Sequence, residues 1–169
     1  MCIRDRFQPE GYIDGIDSLG NVAGEFHGVA ENDMFCDIVL ESGDQGGNYD
    51  FGEILPASIK GTVYVDTNNN GIQDEGEAGI EGTRIVLTDA EGNVIAETFT
   101  DADGNYCFED LIPGTYKVTE IQPDGFFDGI DTLGEINGET HGVSENDMFC
   151  DIVLESLSLI HISEPTRPY

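Results

Sequence analysis

The sequence predicts an all-β fold, an antiparallel β-sandwich carried in tandem repeats. Three observations predict it. Apolar residues gather in strand-length clusters of alternating character, separated by Gly, Asn, Asp and Pro turn signals. No stretch shows the 3.6-residue periodicity of an amphipathic helix. The chain also repeats itself: residues 8–42 recur at 122–156, 26 of the 35 positions being identical at an offset of 114. The apolar share is 38%, and nine Phe and six Tyr supply the bulk for a β-type core.

The elements follow in order. Residues 59–65 alternate Ile59, Gly61, Val63 and Val65 against Lys60, Thr62 and Tyr64, the pattern of a strand with one buried face. A second strand is expected over 84–88. Glu91-Gly92-Asn93 then turns the chain into a third over 94–100. Asp103-Gly104 is a strong hairpin signal, and the strand after it, 105–108, places Tyr106 and Phe108 on one face. Pro113-Gly114 turns the chain again into 115–121, and after a long loop the last apolar run is 148–154. In the upstream copy of the repeat the text continues to a terminal strand over 48–53.

The repeat sets the domain expectations. Residues 7–55 read as the back part of one repeat and 56–156 as most of the next, lacking its last strand. Repeat identity ends abruptly at both sides. The end segments 1–6 and 157–169 resemble translated sequencing-adapter read-through and are set aside from the fold argument.

The charge excludes whole classes of function. The chain has 35 Asp and Glu against six Lys and Arg, a net charge of −29. Residues 7–156 alone hold 33 of those acids and three of the bases, a net −30. A basic footprint for nucleic acid is absent, and anionic lipid would be repelled. No apolar run has the length of a membrane span, so no membrane insertion is expected of this stretch.

One motif carries specific chemistry. Residues 66–77 read Asp66-Thr67-Asn68-Asn69-Asn70-Gly71-Ile72-Gln73-Asp74-Glu75-Gly76-Glu77, which fits the twelve-residue calcium loop at every constrained position. Calcium takes six to eight oxygens, and this spacing supplies them. Asp66, Asn68 and Asn70 offer side-chain oxygens from alternate positions, and Gly71 makes the sharp turn. Ile72 offers its carbonyl, Asp74 acts directly or through water, and Glu77 closes the site with both oxygens. The flanks are not those of an EF-hand: a strand precedes the loop, and Gly76, Gly79 and Gly82 break any helix after it. Ca2+ is the one cofactor expected. Asp101 with Asp103, and Asp128 with Asp131 (mirrored by Asp14 and Asp17), are weaker secondary metal candidates, because Asp-Gly is first a turn and exposed acids are usually just solvated.

These residues also carry a resemblance. The run Ser58-Ile59-Lys60-Gly61-Thr62-Val63-Tyr64-Val65-Asp66, the loop to Glu77, Thr100-Asp101-Ala102-Asp103-Gly104-Asn105-Tyr106, the segment from Leu111 to Glu120, and Gln122-Pro123-Asp124-Gly125-Phe126 resemble the B-type repeat of serine-aspartate repeat surface adhesins. Those are relatives of the collagen-adhesin B domain. The resemblance implies a prealbumin-like, Ig-like sandwich, calcium binding through the loop, and a tandem stalk on a bacterial surface with neighbouring repeats as partners. It does not imply catalysis. Many collagen-adhesin B-type domains carry an internal Lys–Asn isopeptide bond promoted by a Glu. Glu120 sits where that acid is expected and shares a face with Tyr116 and Val118. The lysine position of the first strand holds Val65, and Lys60 lies before the strand core, so no such bond is expected here.

The remaining reactive residues are few. Cys36 and Cys150 are repeat equivalents, so a full repeat carries one cysteine at each of the Cys107 and Cys150 positions. An even count in a secreted repeat points to a Cys107–Cys150 disulfide, which leaves Cys36 without its partner; buried free thiols, or outward cysteines too far apart to bridge, are the alternatives. No Cys/His cluster suits zinc, and His27 and His141 read as surface loop residues. No nucleophile elbow or phosphate loop is present, and no enzyme is expected. The leading expectation is a calcium-stiffened extracellular spacer. The alternatives are an adhesion module for a host or matrix ligand, and an accessory domain of a large secreted enzyme. A salt-rich habitat would also account for the acidity.

Overall fold

Strand formation follows the apolar alternation, and the turns follow the positive-φ residues between. The computed structural model describes residues 3–4, 9–136, 138–155 and 159–168, with the backbone alone for 3–4 and 159–168. The chain divides into two compact units, Met1–Leu55 and Pro56–Tyr169.

The first unit holds short strands: β1 (Ile3–Arg4), β2 (Ile13–Asp14), β3 (Asn21–Val22), β4 (Glu25–Phe26), β5 (Val29–Glu31), β6 (Met34–Cys36), β7 (Gly46–Gly47) and β8 (Glu53–Ile54). They pair as three small sheets, β1-β6-β5, β2-β8 and β4-β3-β7. Phe35 is fully buried and packs against the rings of Tyr49 and Phe51, with centroids 5.6 and 4.6 Å away. The single terminal strand expected over 48–53 is instead two short pieces, with an isolated bridge between Ser18 and Asp50. Asn48 at φ 61° breaks the extended run between them.

The second unit contains β9 (Ala57–Val65), β10 (Arg84–Asp89), β11 (Val94–Phe99), β12 (Asn105–Leu111), β13 (Gly114–Ile121), β14 (Phe126–Asp128), β15 (Glu135–Ile136), β16 (Glu139–Thr140), β17 (Val143–Glu145), β18 (Met148–Leu154) and β19 (Leu159–Pro168). The main strands match the expected ones to within a few residues. The loop expected before β18 contains β14 to β17, because its Gly-rich turns close two- and three-residue pairs too short to show periodicity. Two main sheets result, in the orders β11-β10-β13-β18-β17 and β12-β9-β19-β14, and β15-β16 form a separate two-stranded pair.

The sheets face each other across one core. Ile85, Leu87, Tyr116, Val118, Phe149, Ile152 and Leu154 come from the first sheet, and Ala57, Ile59, Val63, Tyr106, Phe108 and Leu111 from the second. Tyr106 and Phe108 share the inner face as their spacing requires, with ring centroids 6.1 Å apart. Burying each large side chain contributes about 1.5–3 kcal/mol, so this cluster is the main stabilising term.

β19 runs parallel to β9 from Leu159↔Ser58 to Thr166↔Val65. It pairs with β14 (Phe127↔Arg167) much as β8 pairs with β2 in the first unit (Ile13↔Ile54). Every other strand pair among the described residues is antiparallel, as the sandwich expected from the sequence requires. Among the described residues no helix is long and apolar enough to cross a membrane.

Candidate metal centre

β9 delivers the loop, and backbone pairing closes its base. The N–H of Val65 donates to the Ala78 carbonyl at 2.9 Å and that of Ile80 to the Val63 carbonyl at 2.9 Å. The outgoing arm is fixed by buried Thr100, whose hydroxyl donates to the Ile80 carbonyl at 2.6 Å and accepts the Thr83 N–H at 2.9 Å.

Asp66 is the hub of the loop. It is fully buried, and its two oxygens accept backbone N–H groups, Oδ1 from Asn70 at 3.2 Å and Oδ2 from Gly71 at 2.8 Å. These bonds fold the chain back over the carboxylate. The bend needs φ +74° at Gly71, where a Cβ would also meet Thr132 Oγ1 at 3.0 Å and Ile130 Cγ2 at 3.1 Å. Asn70 Oδ1 accepts the Ile72 N–H at 2.8 Å. Asn68 and Asn70 both donate from Nδ2 to Asp74 Oδ2, at 2.7 and 2.9 Å, so these three side chains converge on one point. Glu77 closes the ring: Oε1 accepts from the Thr67 amide and hydroxyl at 2.8 Å each, and Oε2 from the Asp74 amide at 3.0 Å. Hydrogen bonds from Asp74 and Thr67 hold the Glu77 carboxyl below its ordinary range. Burial first, then the charges of Asp66, Glu77, Asp74 and Asp131, push the Tyr64 phenol well above its usual value. The loop is therefore strongly anionic even where it reaches the core.

The donor chemistry fits a hard cation. Every ligand expected from the sequence offers oxygen, with three carboxylates and two amides. The Asn68 and Asn70 amides present nitrogen to Asp74 here, and a half-turn about the last side-chain bond presents oxygen from the same place. Among the described residues no three acidic, His or Cys side chains are gathered in a metal-binding group. Asp66 and Glu77 are turned to the loop's own amides, while Asn68, Asn70 and Asp74 are brought together. Ile72 is 62% exposed at the rim.

Sequence reasoning missed Thr132. Its hydroxyl donates to the Gly71 carbonyl at 2.6 Å, tying the loop to a segment 61 residues away. Thr67 was also missed as the anchor of Glu77. A Thr beside a carboxylate-rich loop carries no spacing signal of its own.

The secondary acids make hydrogen bonds in turns. Asp101 Oδ1 accepts the amides of Asp103 and Asn105 at 2.9 and 2.8 Å, which is the capping of a tight turn. Asp131 Oδ2 accepts the Asp147 amide at 3.2 Å, and its repeat equivalent Asp17 accepts that of Asp33 at 3.1 Å and that of Gly52 at 3.2 Å. These aspartates clasp a turn whose Asp33 and Asp147 both have φ 55°. Burial, then the neighbouring Asp128 charge, pushes the Asp131 carboxyl up to about 7.

The cysteine expectations are corrected. Cys107 and Cys150 are free thiols. Cys107 alternates with inward Tyr106 and Phe108 on one sheet, and Cys150 lies beside inward Phe149 on the other. Both therefore face away from the core on opposite sides of a sandwich whose sheets lie about 10 Å apart, beyond the reach of a disulfide. Cys36, expected to stand alone, is disulfide-bonded. Glu120 is buried, with Ile85 opposite it, and Lys60 is exposed opposite Cys107. His27 and His141 are half-buried loop residues, and the His27 carbonyl accepts the Tyr49 hydroxyl at 3.0 Å.

The profile of the SdrD B-like domain matches residues 57–146, which contain the whole loop and the five strands before β14. The chain belongs to the SdrD B-like domain family. Serine-aspartate repeat-containing protein D of Staphylococcus aureus (strain Newman) is 38% identical over 145 residues, covering 77% of this chain and 11% of that one. Serine-aspartate repeat-containing protein F of Staphylococcus epidermidis is 33% identical over 148 residues, covering 77% and 8%. The chain thus spans about a tenth of the length of these relatives. Among solved structures, the major pilin subunit BcpA*(D312A) of Bacillus cereus aligns with TM-score 0.48 at 11% identity, covering 98% of this chain and 58% of that one. The shaft pilin spaA of Lactobacillus rhamnosus GG aligns with TM-score 0.46 at 11% identity, covering 68% and 50%. The second unit, whose strands β9 to β17 lie within the match, is the SdrD B-like unit.

Proposed function

We propose that the SdrD B-like unit is a calcium-stiffened structural repeat, a non-catalytic spacer in an extracellular, cell-surface stalk whose immediate partners are neighbouring repeats. The loop 66–77 carries this reading. It has calcium spacing at every constrained position, a fully buried Asp66 at its hub, and a base locked into β9. Asp66, Asn68, Asn70, the Ile72 carbonyl, Asp74 and Glu77 would hold the ion, with the two amides rotated to present oxygen. Bound calcium supplies charge neutralisation and a rigid link between the end of β9 and the strand-like arm at Ala78–Ile80. The chain's own residues hold the loop ready. Thr132 fixes Gly71, Thr67 fixes Glu77, and Thr100 fixes Ile80. The repeated text and the much greater length of the relatives support a tandem setting.

The test is thermal unfolding of the full chain in about 1 mM calcium and in chelator. For a dissociation constant near ~10 µM the ion adds about 2.7 kcal/mol. A domain of about 100 residues turns each kcal/mol into a shift of roughly 4–8 °C. Glu77→Gln keeps the size of the side chain and removes the charge, and should abolish most of the shift. A wild-type melting temperature that is the same with calcium and with chelator sinks the proposal.

A further inference from the structure

Two stretches of this chain share one sequence and differ in their surroundings. Residues 31–42 and 145–156 are identical. Their local geometry agrees as well. β6 pairs with β5 in the register in which β18 pairs with β17: Val29↔Cys36 and Glu31↔Met34 in the first unit, Val143↔Cys150 and Glu145↔Met148 in the second. Asp17 accepts the Asp33 amide at 3.1 Å, and Asp131 accepts that of Asp147 at 3.2 Å. Phe35 and Phe149 are both fully buried.

The other edge is where they part. In the second unit β13 lies along it, with Val118 opposite Phe149, Tyr116 opposite Ile152 and Gly114 opposite Leu154. The Glu120 amide extends that ladder, donating to the Asp147 carbonyl at 2.9 Å. In the first unit the same slot, across β6 from β5, holds β1. β1 is antiparallel too, with Ile3 opposite Phe35 and Arg4 opposite Met34, the positions that Val118 and Thr119 take in the second unit. This edge therefore accepts a strand in the direction and register of β13. Among the described residues no strand pairs with 37–40. Leu40 is 55% exposed where Leu154 is 2%, and Ile38 is half-buried where Ile152 is fully buried. An unpaired edge carrying alternate exposed apolar side chains is a template for an incoming strand.

We propose that the edge of residues 34–40 captures an extended, unpaired strand of the β13 kind, seated as β13 is seated on β18. The identical segment fixes the chemistry of the partner: glycine opposite Leu40, an aromatic ring opposite Ile38 and a β-branched apolar residue opposite Phe35. Backbone pairing supplies the affinity, and the alternate side chains supply the selectivity. The β13 of a second, folded copy is not the occupant, because β10 and β18 already hold it on both sides. The seat has the same sequence in both repeats, so a β13-type strand freed from any repeat of this kind fits it, and its capture joins the two without a covalent bond. None of the loop residues 66–77 belongs to the seat, so capture is independent of calcium.

The experiment titrates a fluorescein-labelled peptide of residues 112–121 with the full chain, followed by anisotropy, in chelator and with reductant. The chain is taken to about 1 mM, the weak end of measurable affinity. Saturable binding of one peptide per chain is expected. Tyr116→Ser/Val118→Ser in the peptide, which leaves the chain untouched, should weaken it at least about tenfold through the lost apolar burial. Ile38→Ser/Leu40→Ser in the chain should weaken it as much, with the far-UV spectrum of the chain unchanged. Nitrogen-15 spectra should show shifts at 34–40 and none along β18. Absence of binding at about 1 mM, or equal binding of the substituted peptide, overturns the proposal. Equal binding by the Ile38/Leu40 variant, or shifts elsewhere, overturns the seat. A wild type that dimerises by itself in sedimentation, and whose dimer the peptide dissolves, overturns the choice of an unpaired strand over that of a second copy.

Discussion

Substitution of Asp66 separates the structural role of the loop from its metal role. Asp66→Ala removes two acceptors at a site with no solvent access, leaving the amides of Asn70 and Gly71 without their partner. A buried donor left unsatisfied costs about 1–3 kcal/mol. The Gly71 bond is buried and the Asn70 bond only partly so. The pair is therefore worth roughly 2–4 kcal/mol in the absence of any ion. That is about 10–25 °C in melting temperature for a domain of this size. Asp66→Asn keeps one acceptor and should lose roughly half as much. The assay is far-UV circular dichroism of the full chain, melted in chelator and in calcium. Both variants should melt low in chelator, and neither should recover the calcium increment of about 2.7 kcal/mol. An Asp66→Ala chain that melts in chelator within a degree or two of wild type refutes the hub argument. A full calcium shift retained in either variant refutes the ligand assignment, whatever happens in chelator.

Other contacts carry their own predictions. Thr132→Val deletes the 2.6 Å bond to the Gly71 carbonyl and should cost about 1 kcal/mol, with faster amide exchange confined to the loop. Gly79→Ala should prevent stable folding of the SdrD B-like unit, since its Cβ would collide with the Asp103 carbonyl, which is backbone and cannot step aside. A normal melting curve for that variant would contradict the close approach. Asp131 gives an unusual pH dependence. Its folded pKa of about 7 lies above the ordinary 3.8, so the folded chain holds this proton more tightly than the unfolded one. Stability in chelator should therefore fall as pH rises from about 4 to about 7, and Asp131→Asn should flatten that slope. The lowered carboxyls Glu77, Asp89 and Glu97 act in the opposite direction but below that window. Cys107 and Cys150 should both alkylate without reductant, and Cys107→Ser should leave the melting temperature unchanged, measured by mass spectrometry and calorimetry.

The strands β9 to β13 were legible because each has a clear two-residue period and a turn signal at its end. The loop was legible because its residues fit the twelve-residue calcium-loop spacing at every constrained position. Three things were not. Thr132 meets Gly71 only because the chain returns to the end of β9, and no local pattern encodes a return of 61 residues. The parallel pairing of β19 depends on which edge of β9 is open, which alternation does not specify. The free thiols are a different lesson. Alternation with Tyr106 and Phe108 already placed Cys107 outward, and the even cysteine count outweighed that geometry when it should have yielded to it.

The repeat offers an internal comparison that propensity scales lack. Residues 31–42 and 145–156 are identical in sequence. Both copies bend at the same residues, with φ 55° at Asp33 and Asp147 and 54° at Asp37 and Asp151. Yet 151–154 is strand and 37–40 is not, and Leu154 is 2% exposed where Leu40 is 55%. The difference lies alongside. β18 pairs with β13 from Thr119↔Met148 to Gly114↔Leu154, while among the described residues β6 has the two-residue β1 in that position, with Ile3 opposite Phe35. The local sequence therefore sets the bends, and the neighbouring strand decides whether the apolar run between them becomes sheet. The same dependence explains why this unit is built as a two-sheet sandwich. Its strands hold their shape through their partners, and a loop that clamps the end of β9 steadies every strand paired to it.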